Sequence, residues 1–96
     1  MQESTLGIKE NTVFYRCVAG TVGRVYVEDC STADGFVKFV PMVLHTESDG
    51  TTNYVAQYDN WLEYSIDEFQ EEYSPCYGQA IQRYVNRIAK DALITA

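Results

Sequence analysis

Three cysteines, Cys17, Cys30 and Cys76, and a single histidine, His45, are the residues best suited to nucleophilic or metal chemistry in this chain. A structural zinc site draws its ligands in closely spaced pairs on one turn, and the gaps between these cysteines are 13 and 46 residues. That spacing argues for free thiols and for no metal. A nucleophile with His45 as base and Asp49 as orienting carboxylate needs a specific local context, and none surrounds any Cys or Ser here. Gly20 and Gly23 do not open a helix and precede no Lys-Ser or Lys-Thr, so they read as a hairpin turn rather than a phosphate cradle. Paired carboxylates stand at Asp67, Glu68, Glu71 and Glu72. On a helix Asp67 faces Glu71 and Glu68 faces Glu72, but one short solvated helix supplies no pocket to shift their pKa values. No catalytic residue, cofactor or metal is expected, and the chain reads as a non-enzyme.

The elements that position these residues are legible in the pattern. Residues 1–11 are polar and aperiodic, and are expected to form a flexible N-terminus before a single α+β domain over 12–96. Val, Tyr and Phe then dominate, as strands require. Strands are expected at Thr12–Ala19, Arg24–Asp29, Phe36 to about Leu44, Asn53–Tyr58 and Trp61–Tyr64, placing the sheet within 12–64. Gly20-Thr21-Val22-Gly23 links the first two and Asp59-Asn60 makes a tight turn before the last. Pro41, without an N–H, marks an edge or a bulge. Short connections favour an antiparallel meander of four to five strands, with closure into an SH3-like barrel as the second arrangement.

Beyond residue 64 the period becomes helical. Ser65 and Glu68 form the capping-box pattern S-x-x-E, with Tyr64 and Phe69 at the hydrophobic-staple positions. A helix over 66–73 ends at Pro75, and a second over 75–94 takes Ser74 as its cap. Its apolar stripe is Ile81, Tyr84, Val85, Ile88 and Ala92. The fold class is α+β, an antiparallel sheet followed by two C-terminal helices that cover its greasy face.

The 96 residues are 46% hydrophobic and 22% charged, the composition of one globular domain. No apolar run approaches the roughly 18 residues of a membrane span. An odd cysteine count without a leader pattern at Met1–Leu6 points to a reducing, cytoplasmic setting. Net charge is −7, unsuited to direct nucleic-acid binding or to anionic lipid. The charge is polarised. Residues 1–45 carry −1, residues 46–73 carry −8 with no base at all, and residues 74–96 carry +2. The acidic block also holds Tyr54, Tyr58, Trp61, Tyr64, Phe69 and Tyr73.

Rigid aromatic area inside a charged rim is how protein interfaces anchor, and a negative surface steers a cationic partner toward it. The candidate partner-binding residues are therefore Glu47, Asp49, Tyr58, Asp59, Trp61, Glu63, Asp67, Glu68, Glu71 and Glu72. The expected partner is a larger basic protein, in the first instance a nucleic-acid-binding one, which this chain inhibits or modulates. Charge reversal at Glu68, Glu71 and Glu72 is expected to spare folding and weaken that binding. In composition the chain resembles phage-encoded inhibitors of host defence, anti-CRISPR proteins and DNA mimics among them, which would place it in the host cytoplasm. No motif carries that resemblance, so no residue role transfers with it. Two further functions stand beside it: an immunity or antitoxin-like protein that neutralises a basic toxin by the same physics, and a structural or accessory module that homodimerises through an edge strand near Pro41 or through Tyr-rich strand faces.

Overall fold

The computed structural model describes residues 8–31 and 33–95. Strands β1 (Val13–Val18), β2 (Thr21–Ser31), β3 (Phe36–Thr46) and β4 (Thr52–Ala56) follow one another as antiparallel hairpins. A 3-10 turn at Tyr58–Asn60 leads to β5 (Leu62–Ser65), then to helices α1 (Ile66–Glu72) and α2 (Tyr77–Thr95). The five-stranded sheet has the order β1-β2-β3-β4, with β5 also paired to β3. This is the expected α+β class. The sheet stays open, since no pairing joins β1 to β4 or β5 among the described residues.

Pro41 explains the departure from a plain meander. It lies in central β3, opposite Val25 of β2, and is neither at an edge nor in a bulge. Its carbonyl accepts from the Gln57 N–H (2.9 Å), on the side where β4 and β5 pair. In an antiparallel strand a residue's N and O point to the same side, so the N–H that proline lacks is missing there. β4 pairs with Met42–Thr46 and β5 with Phe36–Phe39, both antiparallel to β3. The two are thus one strand direction interrupted opposite Pro41, where Tyr58–Asn60 jogs outward. Asp59-Asn60 does not reverse the chain as a tight turn would.

The β1–β2 turn is also shorter than the sequence suggests. Ala19 (φ 52°) and Gly20 (φ 83°) form the whole connection between the paired Val18 and Thr21, while Thr21, Val22 and Gly23 belong to β2. Two left-handed residues match a strand's own twist, but the Cβ of alanine is strained there, a cost that asparagine offsets by hydrogen-bonding its short side chain locally. Ala19→Asn is expected to raise the unfolding free energy by about 0.5–1 kcal/mol, read as a higher urea midpoint at unchanged slope.

The core lies between one sheet face and α1. Phe39, fully buried, meets Phe69 (5.0 Å between ring centroids), Tyr64 (4.9 Å) and Tyr73 (5.3 Å), and Phe14 meets Phe69 edge-on (5.0 Å). Tyr64 and Phe69 therefore do frame the start of α1, through their shared neighbour Phe39. The capping box forms as expected: Glu68 N–H donates to Ser65 Oγ (3.2 Å) and Ser65 N–H to Glu68 Oε1 (3.4 Å). Ile8 is buried in this core and Asn11 N–H donates to the Val27 carbonyl (2.8 Å), so the packed domain begins ahead of the expected boundary at 12. Residues 1–7 lie outside the described residues.

Ser74 is not a helix cap. Its N–H and carbonyl exchange hydrogen bonds with those of Tyr15 (both 2.8 Å), which covers the edge of β1 and buries Ser74. The helix begins at Tyr77, and Ala80 packs inward. Tyr15 alternates with the core residue Phe14, and its ring meets Tyr77 at 5.9 Å. The helices consequently occupy opposite faces of the sheet: α1 covers the core face alone, and α2 begins on the other. Arg83 ties them together, donating to the carbonyls of Tyr73 (3.0 Å) and Glu71 and to Ser74 Oγ (2.9 Å).

Burial, reinforced by the neighbouring Tyr64, holds the Tyr73 phenol above its ordinary value near 10, against the opposing pull of Arg16. The unfolded chain releases that proton first, so the stability this group contributes is intact below about pH 10 and is lost as pH rises beyond it. The thermal midpoint is expected to fall above pH 10, and Tyr73→Phe to reduce that fall, as followed by circular dichroism.

Candidate protein-binding site

The ten candidate residues fall in three places. Glu47 and Asp49 sit at the tip of the β3–β4 hairpin, roughly 30 Å along β3 from Phe36. There Glu47 lies 3.5 Å from His45, and Asp49 Oδ1 accepts from Thr51 N–H (3.0 Å) and Oγ1 (2.7 Å). Those two hydrogen bonds hold the Asp49 carboxyl below its usual range, and both acids serve the turn around Gly50 (φ 90°).

Asp67, Glu68, Glu71 and Glu72 lie on α1, over the core face. Glu68 is committed to the capping box and Glu72 to Arg16 (3.0 Å). Asp67 and Glu71 are exposed, and Asp67 meets the positive end of the helix dipole. Reversing Glu68 or Glu72 therefore perturbs the fold as well as the surface, contrary to the expectation for all three glutamates; Glu71 alone keeps it.

Tyr58, Trp61 and Glu63 belong to the opposite, open face, and Asp59 is exposed in the 3-10 turn between Tyr58 and Trp61. Val37 and Phe39 point into the core, so Lys38 and its cross-strand partners Glu63 and Asp29 point away from it. Lys38 Nζ stands 5.1 Å from the centroid of the Trp61 ring and 3.9 Å from Glu28 Oε1. Tyr58 meets the ring of Tyr26 edge-on at 6.3 Å. Phe36, Tyr58 and Trp61 are 48%, 58% and 53% exposed, high values for aromatic rings. Beside them a shallow cavity of about 340 Å³ is lined by Asp29, Ser31, Asp34, Phe36, Lys38 and Glu63. No family model, curated protein or solved structure matches this chain. Its chemistry is accordingly read from its own geometry.

That geometry is an aromatic surface with four carboxylates, Glu28, Asp29, Asp34 and Glu63, around one lysine. A cation enters such a site with its charge among carboxylates and its stem or plane on an aromatic face, as Lys38 already does on Trp61. Phe36, Lys38, Asp29 and Asp34 were not among the expected site residues. They lie outside the acidic block in sequence and reach the site only through the register Asp29↔Lys38↔Glu63. Alternation of Phe36 and Lys38 with the apolar Val37 and Phe39 is the signal that places them on one solvent face.

The other reactive groups stay apart. Cys17 is buried on β1, exposed Cys76 precedes α2, and Cys30 packs at the margin of the core. Burial, followed by the charges of Asp29 and Glu10, raises the Cys30 thiol pKa, so it stays protonated and unreactive. His45 is exposed at the far end of the hairpin. No group of three His, Cys, Asp or Glu fit to hold a metal occurs among the described residues, and no helix there is long and apolar enough to cross a membrane.

Proposed function

We propose that this protein is a small non-catalytic binding module that inhibits or modulates a larger basic protein through its open sheet face. Arg or Lys side chains of the partner insert between Trp61 and the carboxylates of Asp29, Asp34 and Glu63, with Phe36 and Tyr58 as apolar anchors. The observation that carries this reading is the exposure of three aromatic rings on the face where an intramolecular cation, Lys38, is already stacked on Trp61. Aromatic anchors give contact area at small entropic cost, and the surrounding acids give orientation and a fast approach. Nucleic-acid-binding proteins supply such basic surfaces. Docking by side-chain insertion fits this molecule better than imitation of a phosphate track, because its acids lie on two faces and a distant tip rather than in one row.

Capture from the native host at low salt, followed by binding measurements with the purified partner, tests the proposal. A partner whose affinity falls steeply with salt, and falls again with Trp61→Ala, is expected. Affinity indifferent to both would overturn it.

A further inference from the structure

Strand β4 leaves one edge of the sheet open. It stands at the end of the order β1-β2-β3-β4 and pairs with β3 alone among the described residues. The Glu47 N–H donates to the Thr51 carbonyl (2.7 Å) and the Gln57 N–H to that of Pro41 (2.9 Å), which fixes the alternation along this ladder. Asn53 and Val55 therefore turn their N–H and C=O groups toward β3, while Thr52, Tyr54 and Ala56 turn theirs outward. No backbone group among the described residues meets those outward donors and acceptors. Natural edges are blunted by lysine, proline or a bulge, because an open row of such groups pairs with another strand. Thr52–Ala56 has no charged residue, no proline and no break in its register.

Acids stand at both ends of that edge. Glu47 and Asp49 lie in the turn before β4, and Asp59 in the 3-10 turn after it. At the second end a cavity of about 390 Å³ is lined by Ala56, Gln57, Tyr58 and Asp59. Its ring and carboxylate offer a cationic side chain what Trp61 and Glu28 offer Lys38. A second copy suits the edge poorly. Two β4 strands paired antiparallel about Tyr54 bring Asp49 of each copy toward Asp59 of the other, and like charges so placed destabilise the pairing.

We propose that β4 takes an extended segment of the basic partner as a sixth strand, uncharged over about five residues and carrying Arg or Lys at each end. The backbone groups of Thr52, Tyr54 and Ala56 supply the pairing, and the flanking acids select the cationic ends. Tyr54, beneath the Arg24 guanidinium (3.9 Å), and Val55 give the added strand an apolar neighbour on either face of the sheet. The identity of the partner rests on the function proposed above; the strand pairing is a separate contact, made by its main chain.

Fluorescence anisotropy of a labelled, end-blocked peptide, Arg-Thr-Val-Thr-Val-Thr-Arg, titrated with the full chain tests the pairing. Saturable binding is expected, weakened about tenfold or more when the central amides of the peptide are N-methylated, which leaves its charge unchanged. Ala56→Pro removes an outward N–H while sparing the ladder to β3, and is expected to weaken binding about as much. Should Ala56→Pro fail to fold by circular dichroism, Thr52→Pro serves in its place. Glu71→Lys, on α1, is expected to change the affinity about twofold at most. Absence of binding, equal affinity for the methylated peptide, or wild-type affinity in the proline variant would overturn the strand pairing, as would a self-association of the chain that the proline variant abolishes. A basic partner whose affinity depends on salt and on Trp61 but not on Ala56→Pro would remove the strand pairing and spare the proposed function. A peptide that pairs as expected beside a partner indifferent to salt and to Trp61→Ala would do the reverse.

Discussion

Phe39→Ala is expected to remove about 3–5 kcal/mol of folding stability, among the largest effects of a single truncation in this molecule. Phe39 is wholly buried and its ring touches Phe69, Tyr64 and Tyr73, which arrive from α1, β5 and the segment after α1. No neighbour can collapse into the space without breaking another of those ring contacts, so the lost transfer energy and the cavity add. A domain this small has a total stability of about 5–15 kcal/mol, and the variant should therefore be partly unfolded at physiological temperature. Urea unfolding followed by circular dichroism measures the loss. Gln79→Ala, exposed on the first turn of α2, is the control, with a change of about 0.5 kcal/mol or less. A loss below about 1 kcal/mol at Phe39 would mean that the core is not organised around this ring.

Charge reversal on the open face is the second large effect. Glu63→Lys together with Asp29→Lys changes the local charge by four around Lys38, and places like charges opposite one another across β3. Affinity for a basic partner is expected to fall about 30–100-fold, roughly 2–3 kcal/mol, with most of the salt dependence lost as well. Both side chains are on the solvent face, so the loss of stability should be limited to the repulsion of the three aligned lysines, about 1–2 kcal/mol. Glu71→Lys on α1 makes half the change in charge on the opposite side of the sheet. Its effect on affinity should be a few-fold at most. Equal losses from the two variants would say that net charge, and not the open face, governs binding.

How far these features could be read before the fold was known depended on the range of the interactions behind them. The capping box at Ser65 and Glu68 is local, three residues apart, and it forms where the pattern places it. The strands likewise follow the Val, Tyr and Phe runs, within a few residues at their ends. The outward jog at Tyr58–Asn60 was not legible, because its cause is a proline some 17 residues earlier whose missing N–H matters only once β4 lies beside it. Ser74-Pro75 looks like a helix start by type, yet Ser74 is held by Tyr15 across the edge of β1, a long-range pairing that outweighs a cap. The acidic block was visible as a stretch of sequence, but β5 and α1 place its charges on opposite faces. Periodicity correctly marked α2 as amphipathic. It could not say that the stripe would face away from the sheet, since the pattern records that a helix has an apolar partner and not which one.

Cations are proposed to bind on the open face, and Trp61, the only tryptophan, reports on it directly. Titration with an arginine-rich peptide should shift the Trp61 emission saturably, and the shift should vanish in high salt and in the Glu63→Lys, Asp29→Lys variant. Peptide that binds while the Trp61 emission stays unmoved, or that binds the variant equally well, would contradict that proposal.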